Sequence, residues 1–489
     1  MILNARILAR RTVQPHRCFG STQSALSLPS QSARKANAEA LASHAPDVTK
    51  FFQFSFHDLF GVQRSKLVPA AAVKDLAVGG AGFAGFAAHL DMDPTNGDLL
   101  AIPDASTCVS LPWNPSVAWV ACDLEWDGAP LAHGPRNVLR GALDTLREAS
   151  GFTLKTGVEC EFFLLELPDQ ARSGKRQLAD VLDTHAKPCY DSHALMRRFD
   201  IVSEVCNYLA DLGWKPYQAD HEDANGQFEI NWEFDDALVT ADRHAFFKYM
   251  LRSVAEKHGL RATFMPKPFA DLTGNGCHAH LSLHDATTGK NVCAGSGPHA
   301  LSDTALATLG AILGNAQGLT ALTNPTVNSF KRIAGRRDAT LSGATWSPDT
   351  VAWAGNNRTA MVRVPDAHRL ELRLPDMAAN PYLLPAGVAA LASSALSPAD
   401  VAANAAACPP PEDVNFFDAH SPAAAAARER SGKLPHTLRD AIDALEASAP
   451  LTAGLGTPFI AAYAKLRRAH WEEYCSHLSD WEIDAYLDS

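Results

Sequence analysis

Residues 157–167 read GVECEFFLLEL, an apolar run with two acidic residues near its start. Side chains at positions i and i+2 of a strand lie on the same face, so Glu159 and Glu161 would point together while Cys160 points away. Charges on an apolar strand cost free energy unless they are paired or bind a cation. The stretch therefore predicts a strand that carries two carboxylates into a site.

Three further segments place acids, imidazoles or arginines at strand-like positions. They are GNGCHAHLSLHD (274–285) with His278 and His280, HRLELRLPD (368–376) with Arg369, Glu371 and Arg373, and HEDANGQFEINWEF (221–234) with Glu222 and Glu229. Clustered carboxylates with few imidazoles suit Mg²⁺ or Mn²⁺ better than Zn²⁺, and neighbouring arginines suit a phosphate-bearing substrate. Zinc held by Cys277 and the two histidines is the weaker alternative, because on a strand Cys277 would face away from both.

Length and composition limit the number of domains, the kinds of partner and the cellular compartment that this protein can have. The chain has 489 residues, of which 46% are hydrophobic and 20% are charged, so two or three soluble globular domains are expected. A net charge of −11 does not favour nucleic acid or anionic membranes, and we expect neither as a partner. The ten cysteines form no CxxC pair, which indicates free thiols in a reducing compartment.

The N-terminal segment has a different composition from the rest of the chain. Residues 1–38 contain six basic residues and no acid, and serine, threonine and glutamine are frequent. This composition is typical of an organelle presequence, and it predicts a disordered leader and a mitochondrial location. A plastid or cytoplasmic location, with a disordered tail in place of a leader, is the alternative.

Periodicity and turn residues predict an α+β fold. Residues 50–69 alternate between apolar and polar and turn at Gly61, as in a β-hairpin. Residues 133–151 have a proline near their start, apolar spacing of three and four, and a final glycine, as in a helix. Further strands and long helices alternate irregularly, which indicates an antiparallel sheet. We predict a domain boundary near residue 134.

Long motifs in this chain resemble the catalytic blocks of the glutamine synthetase family. They are HEDANGQFEINWEF, KHGLRATFMPKPFADLTGNGCHAHLSL, NPTVNSFKR, NNRTAMVRVP and RLELRLPDMAANPYLL. GVECEFF and the hairpin FHDLFGVQRSKLVP fit the same family. The likeness runs from about residue 50 to the C-terminus, and it is greatest to the type III glutamate–ammonia ligases and the γ-glutamylmethylamide synthetases.

The resemblance implies a fold and an activity. A β-grasp domain over 46–133 would precede a glutamine synthetase/guanido kinase-like catalytic domain over 134–489 with a curved antiparallel sheet. The enzyme would be a ligase of nitrogen metabolism and glutamine biosynthesis, which joins glutamate to ammonia or a small amine through γ-glutamyl phosphate and converts ATP to ADP. Two ions, Mg²⁺ or Mn²⁺, would lie in each active site. Subunits would form a homo-oligomer, commonly a dodecamer, with active sites between subunits.

The resemblance also assigns roles to residues. Glu161, Glu222 and Glu229 would hold the first metal, and Glu159, His278 and Glu371 the second. The nucleotide would lie against His280, Ser282, Phe234 and Arg369. Glutamate would contact Gly274, Arg332 and Arg373, and Trp346 would line the substrate site. Arg332, Arg358, Arg363 and Arg373 would act in catalysis by stabilising the negative charge of phosphate.

Two departures from the family pattern bear on the amine. Family members that use ammonia usually carry a glutamate on a flap and an aspartate in the N-terminal domain, where this chain has Trp346 and Ala84. These changes, together with Phe86, favour methylamine or another alkylamine, since an indole face binds a methylated cation. Ammonia remains open if Asp338 or Asp98 replaces the missing acids. An inactive structural oligomer is the third alternative.

Overall fold

A computed structural model describes residues 29–167, 177–333 and 345–489. Helices and sheets are mixed, and the larger sheets are curved, so the predicted α+β class is confirmed. The predicted hairpin and the predicted helix after residue 133 are both present. The division into domains at residue 134 stays a prediction.

The strands, in chain order, have the following bounds. They are β1 Phe51–His57, β2 Gln63–Pro69, β3 Ala81–Phe83, β4 Leu99–Pro103, β5 Val109–Leu111, β6 Asn114–Trp126, β7 Ala129–Pro130, β8 Phe152–Val158, β9 Cys160–Glu166, β10 Pro216–His221, β11 Gln227–Trp232, β12 Asp235–Asp236, β13 Leu260–Thr263, β14 Ala279–Asp285, β15 Thr350–Val351, β16 Trp353–Ala354, β17 Val362–Asp366, β18 Arg369–Leu372 and β19 Gly432–Lys433.

The α-helices are given in the same way. They are α1 Gln31–Ala42, α2 Val73–Gly79, α3 Pro135–Ser150, α4 Ser192–Arg197, α5 Phe199–Asp211, α6 Ala237–Lys257, α7 Asp303–Gly314, α8 Ala316–Thr323, α9 Ser329–Ile333, α10 Leu383–Ala395, α11 Val401–Ala406, α12 Pro422–Arg430, α13 Leu438–Ala447, α14 Ala449–Leu455, α15 Thr457–Ser476 and α16 Asp480–Tyr486.

The N-terminal sheet is built on the β1–β2 hairpin. β1 pairs antiparallel with β2 and parallel with β6, and β4 and β3 extend the sheet beyond β6. The carboxylate of Asp58 closes the hairpin turn, since its Oδ1 accepts from the backbone N–H groups of Phe60 at 2.9 Å and Val62 at 3.0 Å. Gly61 takes the left-handed backbone conformation (φ 76°) that the turn requires. Local sequence chemistry therefore accounts for the hairpin.

Helix α1 corrects the predicted presequence range. Residues 31–38 were expected to belong to a disordered leader, but they lie in α1, which packs against α2. Arg34 is only 7% exposed: it forms an ion pair with Glu125, and its Nη1 donates to the carbonyl of Val78 at 3.3 Å. The arginine that suggested a targeting signal is thus a buried structural residue. Breaking such a buried pair costs about 3–5 kcal/mol.

Two sheets of the larger region meet at Glu159. β9 lies in a sheet of order β10-β11-β9-β13, and β8 lies in a sheet of order β12-β8-β14-β18-β17-β16. β8 ends at Val158 and β9 begins at Cys160, so Glu159 is the single residue between two strands of different sheets. All pairings in these two sheets are antiparallel except β16 with β17. Chain continuity therefore ties the two sheets together at an acidic residue.

Helices enclose the sheets on their outer faces. α3 begins with Pro135 and ends at Gly151 in the left-handed conformation, and it packs against α10. In the part of the chain that the structure describes, no single helix is long and apolar enough to cross a membrane. The bent pair α7 and α8, whose axes differ by 81°, is long and apolar enough to cross a membrane only when the two helices are taken together. Most of the apolar side chains of this pair are buried inside the protein.

Candidate active site

A cavity of about 710 Å³ opens beside Glu159, where the two sheets meet. The residues predicted from sequence that line it are Glu159, Glu161, Glu222, Glu229, Phe234, Gly274, His278, His280, Ser282, Arg332, Trp346, Arg358, Arg363, Arg369 and Arg373. Glu371 lies just behind the cavity wall, with no exposed surface, and contacts two of the lining arginines. The structure thus brings all sixteen predicted residues to one place.

One wall of the cavity carries a row of carboxylates across three strands. In the register of β10, β11 and β9, Asp220 is opposite Glu229, and Glu229 is opposite Glu161. Carboxylate oxygens of Asp220, Glu222 and Glu229 all lie within 4.8 Å of one another, and we call these three residues the acidic cluster. Burial, followed by the Glu161 carboxylate, raises the pKa of Asp220 to about 6. The pKa values of Glu222 and Glu229 are raised by burial and by the same negative neighbours.

The other wall carries a mixed row of charges. Arg363 is opposite Glu371 on β17 and β18, and Glu371 is opposite His280 on β14. Glu159 joins this row, since its two oxygens lie 2.8 Å from His278 Nδ1 and 2.9 Å from His280 Nε2. Ligand atoms of Glu159, His280 and Glu371 lie within 4.8 Å of one another, and we call these residues the Glu159 cluster.

Charge balance in the Glu159 cluster is the reverse of that in the acidic cluster. Burial acts to raise the pKa of Glu159, but hydrogen bonds from His278 and His280 outweigh it, and the pKa is lowered. Burial likewise acts to raise the pKa of Glu371, and the charge of Arg373 reverses this and lowers the pKa. The carboxylates of the Glu159 cluster are therefore held ionised by imidazole hydrogen bonds and by the charge of Arg373, whereas those of the acidic cluster repel one another.

The two clusters overlap the two predicted metal sets without matching them fully. Asp220 takes the place in the acidic cluster that was predicted for Glu161, whose Oε2 accepts from the backbone N–H of Gly276 at 2.6 Å and from Gln227 Nε2 at 3.0 Å. His280, predicted near the nucleotide phosphates, takes the place of His278 in the Glu159 cluster. The predicted metal roles of these residues stay predictions.

The residues nevertheless fit a divalent cation. His278 is 6% exposed, and its Nε2 is buried without a hydrogen-bond partner among the described atoms. A Cβ atom placed on Gly276 would lie 3.0 Å from this Nε2 and 2.8 Å from Glu161 Oε1, so both atoms face the same small space beside a glycine. An orphaned imidazole nitrogen next to carboxylates is a donor set that suits Mg²⁺ or Mn²⁺.

Arginines surround the second wall of the cavity. Arg363 Nη1 and Arg373 Nη1 each lie 2.5 Å from a different oxygen of Glu371. Arg332 is 3% exposed, and its Nη1 donates to the carbonyl of Leu374 at 3.0 Å. Arg369 Nε donates to His280 Nδ1 at 3.2 Å, while Arg358 is exposed at the rim. Fixed cations around one cavity favour a phosphorylated substrate.

The remaining predicted residues lie at the edges of the cavity. Phe234 is 51% exposed, and Ser282 is buried with its Oγ 3.1 Å from His284 Nε2. Trp346 has a left-handed backbone (φ 54°), and its indole packs edge-on against Phe417 at 6.0 Å. Ala84, Phe86 and Asp98 are not among the lining residues of this cavity. Asp338 lies outside the described residues.

Among the residues of the site that sequence reasoning missed are Asp220, Gln227 and Tyr190. Asp220 lies two positions before Glu222, so the i, i+2 rule that singled out Glu159 and Glu161 could also have found it. Gln227 is fully buried, and its Nε2 bridges Glu161 Oε2 and the carbonyl of Gly274 at 3.0 and 3.1 Å. Tyr190 lines the cavity from a segment with no motif of its own. Gln227 lies two positions before Glu229, so the same rule could have found it, whereas no local signal marked Tyr190.

Known proteins match the chain along most of its length. Residues 132–486 match the family of glutamine synthetase catalytic domains. A glutamine synthetase of Rhizobium leguminosarum bv. phaseoli is 50% identical over 92% of this chain and 99% of its own. A glutamate–methylamine ligase of Methyloversatilis universalis is 40% identical over 90% of this chain and 96% of its own. The solved GmaS/ADP complex is 53% identical, with a TM-score of 0.84 over 92% of this chain and 99% of its own.

These relatives correct the predicted location. A mitochondrial location was predicted from the composition of residues 1–38, and it is wrong, because the relatives are bacterial enzymes. The basic residues of that segment include Arg34, which α1 uses for packing. The basic, acid-free range 1–38 thus includes the first residues of a packed helix, so composition alone did not identify a targeting signal.

Family, substrates and cofactors follow from the matches and the cavity together. Relatives that cover almost the whole chain are ligases of glutamate, and the acidic, imidazole and arginine groups of the cavity suit ATP and divalent metals. Glutamate, ATP and ammonia or a small amine are the substrates of such ligases. The chain belongs to the glutamine synthetase family and is an ATP-dependent glutamate ligase.

Proposed function

We propose that this enzyme joins glutamate to methylamine and forms γ-glutamylmethylamide at the expense of ATP. The observation that carries the proposal is Trp346, an indole on the cavity wall at the position where a flap glutamate was expected. A glutamate there would attract ammonium, whereas an aromatic face accepts an alkylated cation. The 53% identity with GmaS and the 40% identity with a glutamate–methylamine ligase support the same amine.

The proposed reaction has two steps that balance. An oxygen of the glutamate γ-carboxylate attacks the γ-phosphorus of ATP, and ADP leaves with the bridging oxygen. Methylammonium first gives one proton to solvent, and its neutral nitrogen attacks the acyl carbon of γ-glutamyl phosphate. The C–O bond to phosphate then breaks with its electron pair on phosphate, which takes the second proton from the nitrogen. Activation is needed because oxide is not a leaving group at neutral pH, whereas phosphate is.

Residues on the two walls of the cavity would have different roles in this reaction. When bound, two divalent cations would neutralise charge on the phosphates, held by the predicted ligands and by Asp220. Arg358, Arg363 and Arg373 would face the negative charge of the transferred group. Gly274 and Arg332 would orient glutamate, and Phe234 and Ser282 would lie beside the nucleotide. Fixed arginines cost no reorganisation when charge develops, which is why they stabilise a transition state.

Ammonia is the second candidate amine. Two Rhizobium relatives at 50% identity are glutamine synthetases, and this observation favours glutamine as the product. An inactive structural oligomer is set aside, because the cavity retains every predicted acid and arginine. Ammonium would favour an acidic side chain at the position of Trp346, whereas methylammonium would favour an aromatic one. The choice between the two amines can therefore be tested directly.

The amine test compares turnover of the purified enzyme with two salts. ADP release is measured with glutamate, ATP and Mg²⁺, and with either methylammonium or ammonium varied. We expect kcat/KM to be higher for methylammonium. Trp346→Ala should lower kcat/KM for methylammonium about 3- to 30-fold, the range of a cation–π contact, and change the value for ammonium less.

A matched variant separates contact from position in this test. Phe417→Ala removes the ring that packs on the indole without touching the cavity wall, so its effect should be smaller. Equal or better turnover of the wild type with ammonium would contradict the proposed amine. Equal losses for both amines in Trp346→Ala would contradict the role of the indole.

We also propose a homo-oligomer, with active sites between subunits. Large apolar side chains are exposed at the C-terminal end, including Leu478 at 66%, Trp481 at 65% and Leu487 at 76%. In the N-terminal region Leu67 and Phe86 are 60% and 55% exposed. Such surface favours a partner, and a neighbour's N-terminal region could complete the amine site. Light scattering should give a mass near that of a dodecamer, and a monomeric mass would contradict this.

A further inference from the structure

The carboxylate of Asp183, which lies outside the cavity, is hydrogen-bonded to the β10–β11 loop that carries the acidic cluster. Asp183 is 7% exposed and lies beneath the hairpin loop between β10 and β11. It accepts three hydrogen bonds from that loop: from His221 Nε2 at 2.7 Å, from Asn225 Nδ2 at 2.8 Å and from the backbone N–H of Gly226 at 2.6 Å. One side chain therefore holds both sides of the loop.

The loop is shaped to receive this carboxylate. Gly226 has a left-handed backbone (φ 69°), and a Cβ atom there would lie 3.0 Å from Leu178 Cδ2, so a larger residue would be strained and crowded. The other ring nitrogen of His221 lies 2.9 Å from the carbonyl oxygen of Glu222. Asp183 thus acts on the backbone of Glu222 through His221, while Asn225 and Gly226 fix the far side of the turn.

The same contacts reach the cavity in two places. The hairpin strands and their loop carry the acidic cluster, with Asp220 and Glu222 before the turn and Glu229 after it. The segment that supplies Asp183 also supplies Tyr190, whose backbone N–H donates to the carbonyl of His221 at 2.8 Å and whose side chain lines the cavity. A shift of the β10–β11 loop would therefore move both the acidic cluster and Tyr190.

We propose that Asp183 is a positioning residue that holds the β10–β11 loop, so that the carboxylates of the acidic cluster keep the spacing that a divalent cation requires. This inference rests on the metal-binding role in the proposed function. Ionised carboxylates within 4.8 Å of one another repel when no cation lies between them. Contacts with the surrounding structure must therefore hold the three residues of the acidic cluster together. Residues that orient metal ligands from outside commonly change metal affinity 10- to 100-fold.

A neighbouring aspartate offers a matched control. Asp180 is 6% exposed, at least as buried as Asp183, and lies three residues earlier in the same segment. Its Oδ2 pairs with Arg197 Nε of α4 at 2.6 Å and not with the β10–β11 loop. Both aspartates contribute to stability, so a comparison of Asp183→Asn with Asp180→Asn separates positioning of the acidic cluster from folding.

The test measures binding of Mn²⁺ alone to the full-length enzyme by titration calorimetry or electron paramagnetic resonance. We expect Asp183→Asn to weaken Mn²⁺ binding about tenfold and Asp180→Asn to change it less than about twofold, although both lower the melting temperature. In turnover assays Asp183→Asn should raise the KM for Mn²⁺, with kcat largely restored at saturating Mn²⁺. If Asp183→Asn does not fold, Asn225→Ala removes one of the three bonds and should weaken Mn²⁺ binding about threefold.

Glu222→Gln makes the two possible failures distinguishable. If Glu222→Gln weakens Mn²⁺ binding while Asp183→Asn and Asn225→Ala do not, the positioning role is overturned and the metal ligands stand. If Glu222→Gln binds Mn²⁺ as the wild type does, the proposed metal site itself is overturned. Equal weakening by Asp183→Asn and Asp180→Asn would also overturn the positioning role, because general destabilisation would then explain it.

Discussion

Glu371→Gln should reduce kcat by about 10³-fold or more, the largest effect expected of a single substitution in this enzyme. Glu371 has no exposed surface, and its two oxygens anchor Arg363 and Arg373 at 2.5 Å each. It is also a member of the Glu159 cluster. A glutamine has the same volume as glutamate but no charge. Its NH2 group would replace one carboxylate oxygen and would face an arginine guanidinium, so that two hydrogen-bond donors would meet. The variant therefore loses the charge of a predicted metal ligand, and one of the two arginines loses its acceptor.

A second glutamate–arginine pair supplies the control. Glu412 accepts from Arg430 Nε at 3.0 Å and Nη2 at 2.8 Å, away from the cavity. Glu412→Gln removes the same kind of charge, and its kcat should stay within about twofold, since exposed pairs contribute about 0–1 kcal/mol. Because unpaired buried arginines destabilise the fold, the circular dichroism of Glu371→Gln is compared with that of wild type. A folded Glu371→Gln enzyme with more than a tenth of wild-type kcat would contradict the assigned role.

Removal of divalent metal should destabilise the enzyme, and the effect should grow as pH rises. The pKa of Asp220 is raised from its ordinary value of 3.8 to about 6, by burial and then by the Glu161 carboxylate. Without metal, the folded protein thus holds a proton here that the unfolded chain has lost. Its contribution to stability is present below about pH 4 and is lost as pH rises through about 6. Raised pKa values at Glu222 and Glu229 act in the same direction.

Melting temperatures with EDTA and with Mn²⁺, at pH 5 and pH 7.5, check this expectation. Mn²⁺ at one fixed concentration, 100 times its Kd at pH 7.5, should add about 2.7 kcal/mol at that pH and less at pH 5, where protons compete for the carboxylates. Taking the difference between the two conditions at each pH cancels groups unrelated to the site, such as the buried His57, whose pKa is lowered to about 3 by burial. Asp220→Asn should shrink the pH dependence of the shift. A shift that is larger at pH 5 would contradict the account.

Local chemistry explains what could be predicted from the sequence. The turn at Gly61 and the helix that begins at Pro135 and is capped by Gly151 depend on neighbours within a few residues. Glu159 and Glu161 enter one cavity as predicted, but the predicted single strand is wrong here, because Glu159 lies between β8 and β9 and not on one strand face with Glu161. Motif resemblance added the remaining acids and arginines, because the family blocks contain them. In each case the information needed was contained in a short stretch of chain.

Contacts between distant segments explain what could not be predicted. The row from Asp220 through Glu229 to Glu161 depends on the register of three strands, which no single segment specifies. Asp183 reaches His221 across 38 positions of sequence. The apolar spacing of residues 193–212 is continuous and is typical of one helix, but the structure divides this stretch at Arg198 into α4 and α5. Register and chain path are tertiary properties, and a local pattern does not contain them.

The position of Trp346 outside the main sheets has a consequence for how such enzymes diversify. The acids and arginines lie mostly on or beside strands whose registers are coupled, whereas Trp346 lies among residues 345–349, which precede β15 and include none of the predicted metal ligands. With the amine contact proposed for Trp346, substitutions among these residues would alter the nucleophile without disturbing acyl activation. Acceptor choice is in this sense modular, and a library restricted to residues 345–349 is a rational starting point for ligases that accept new amines.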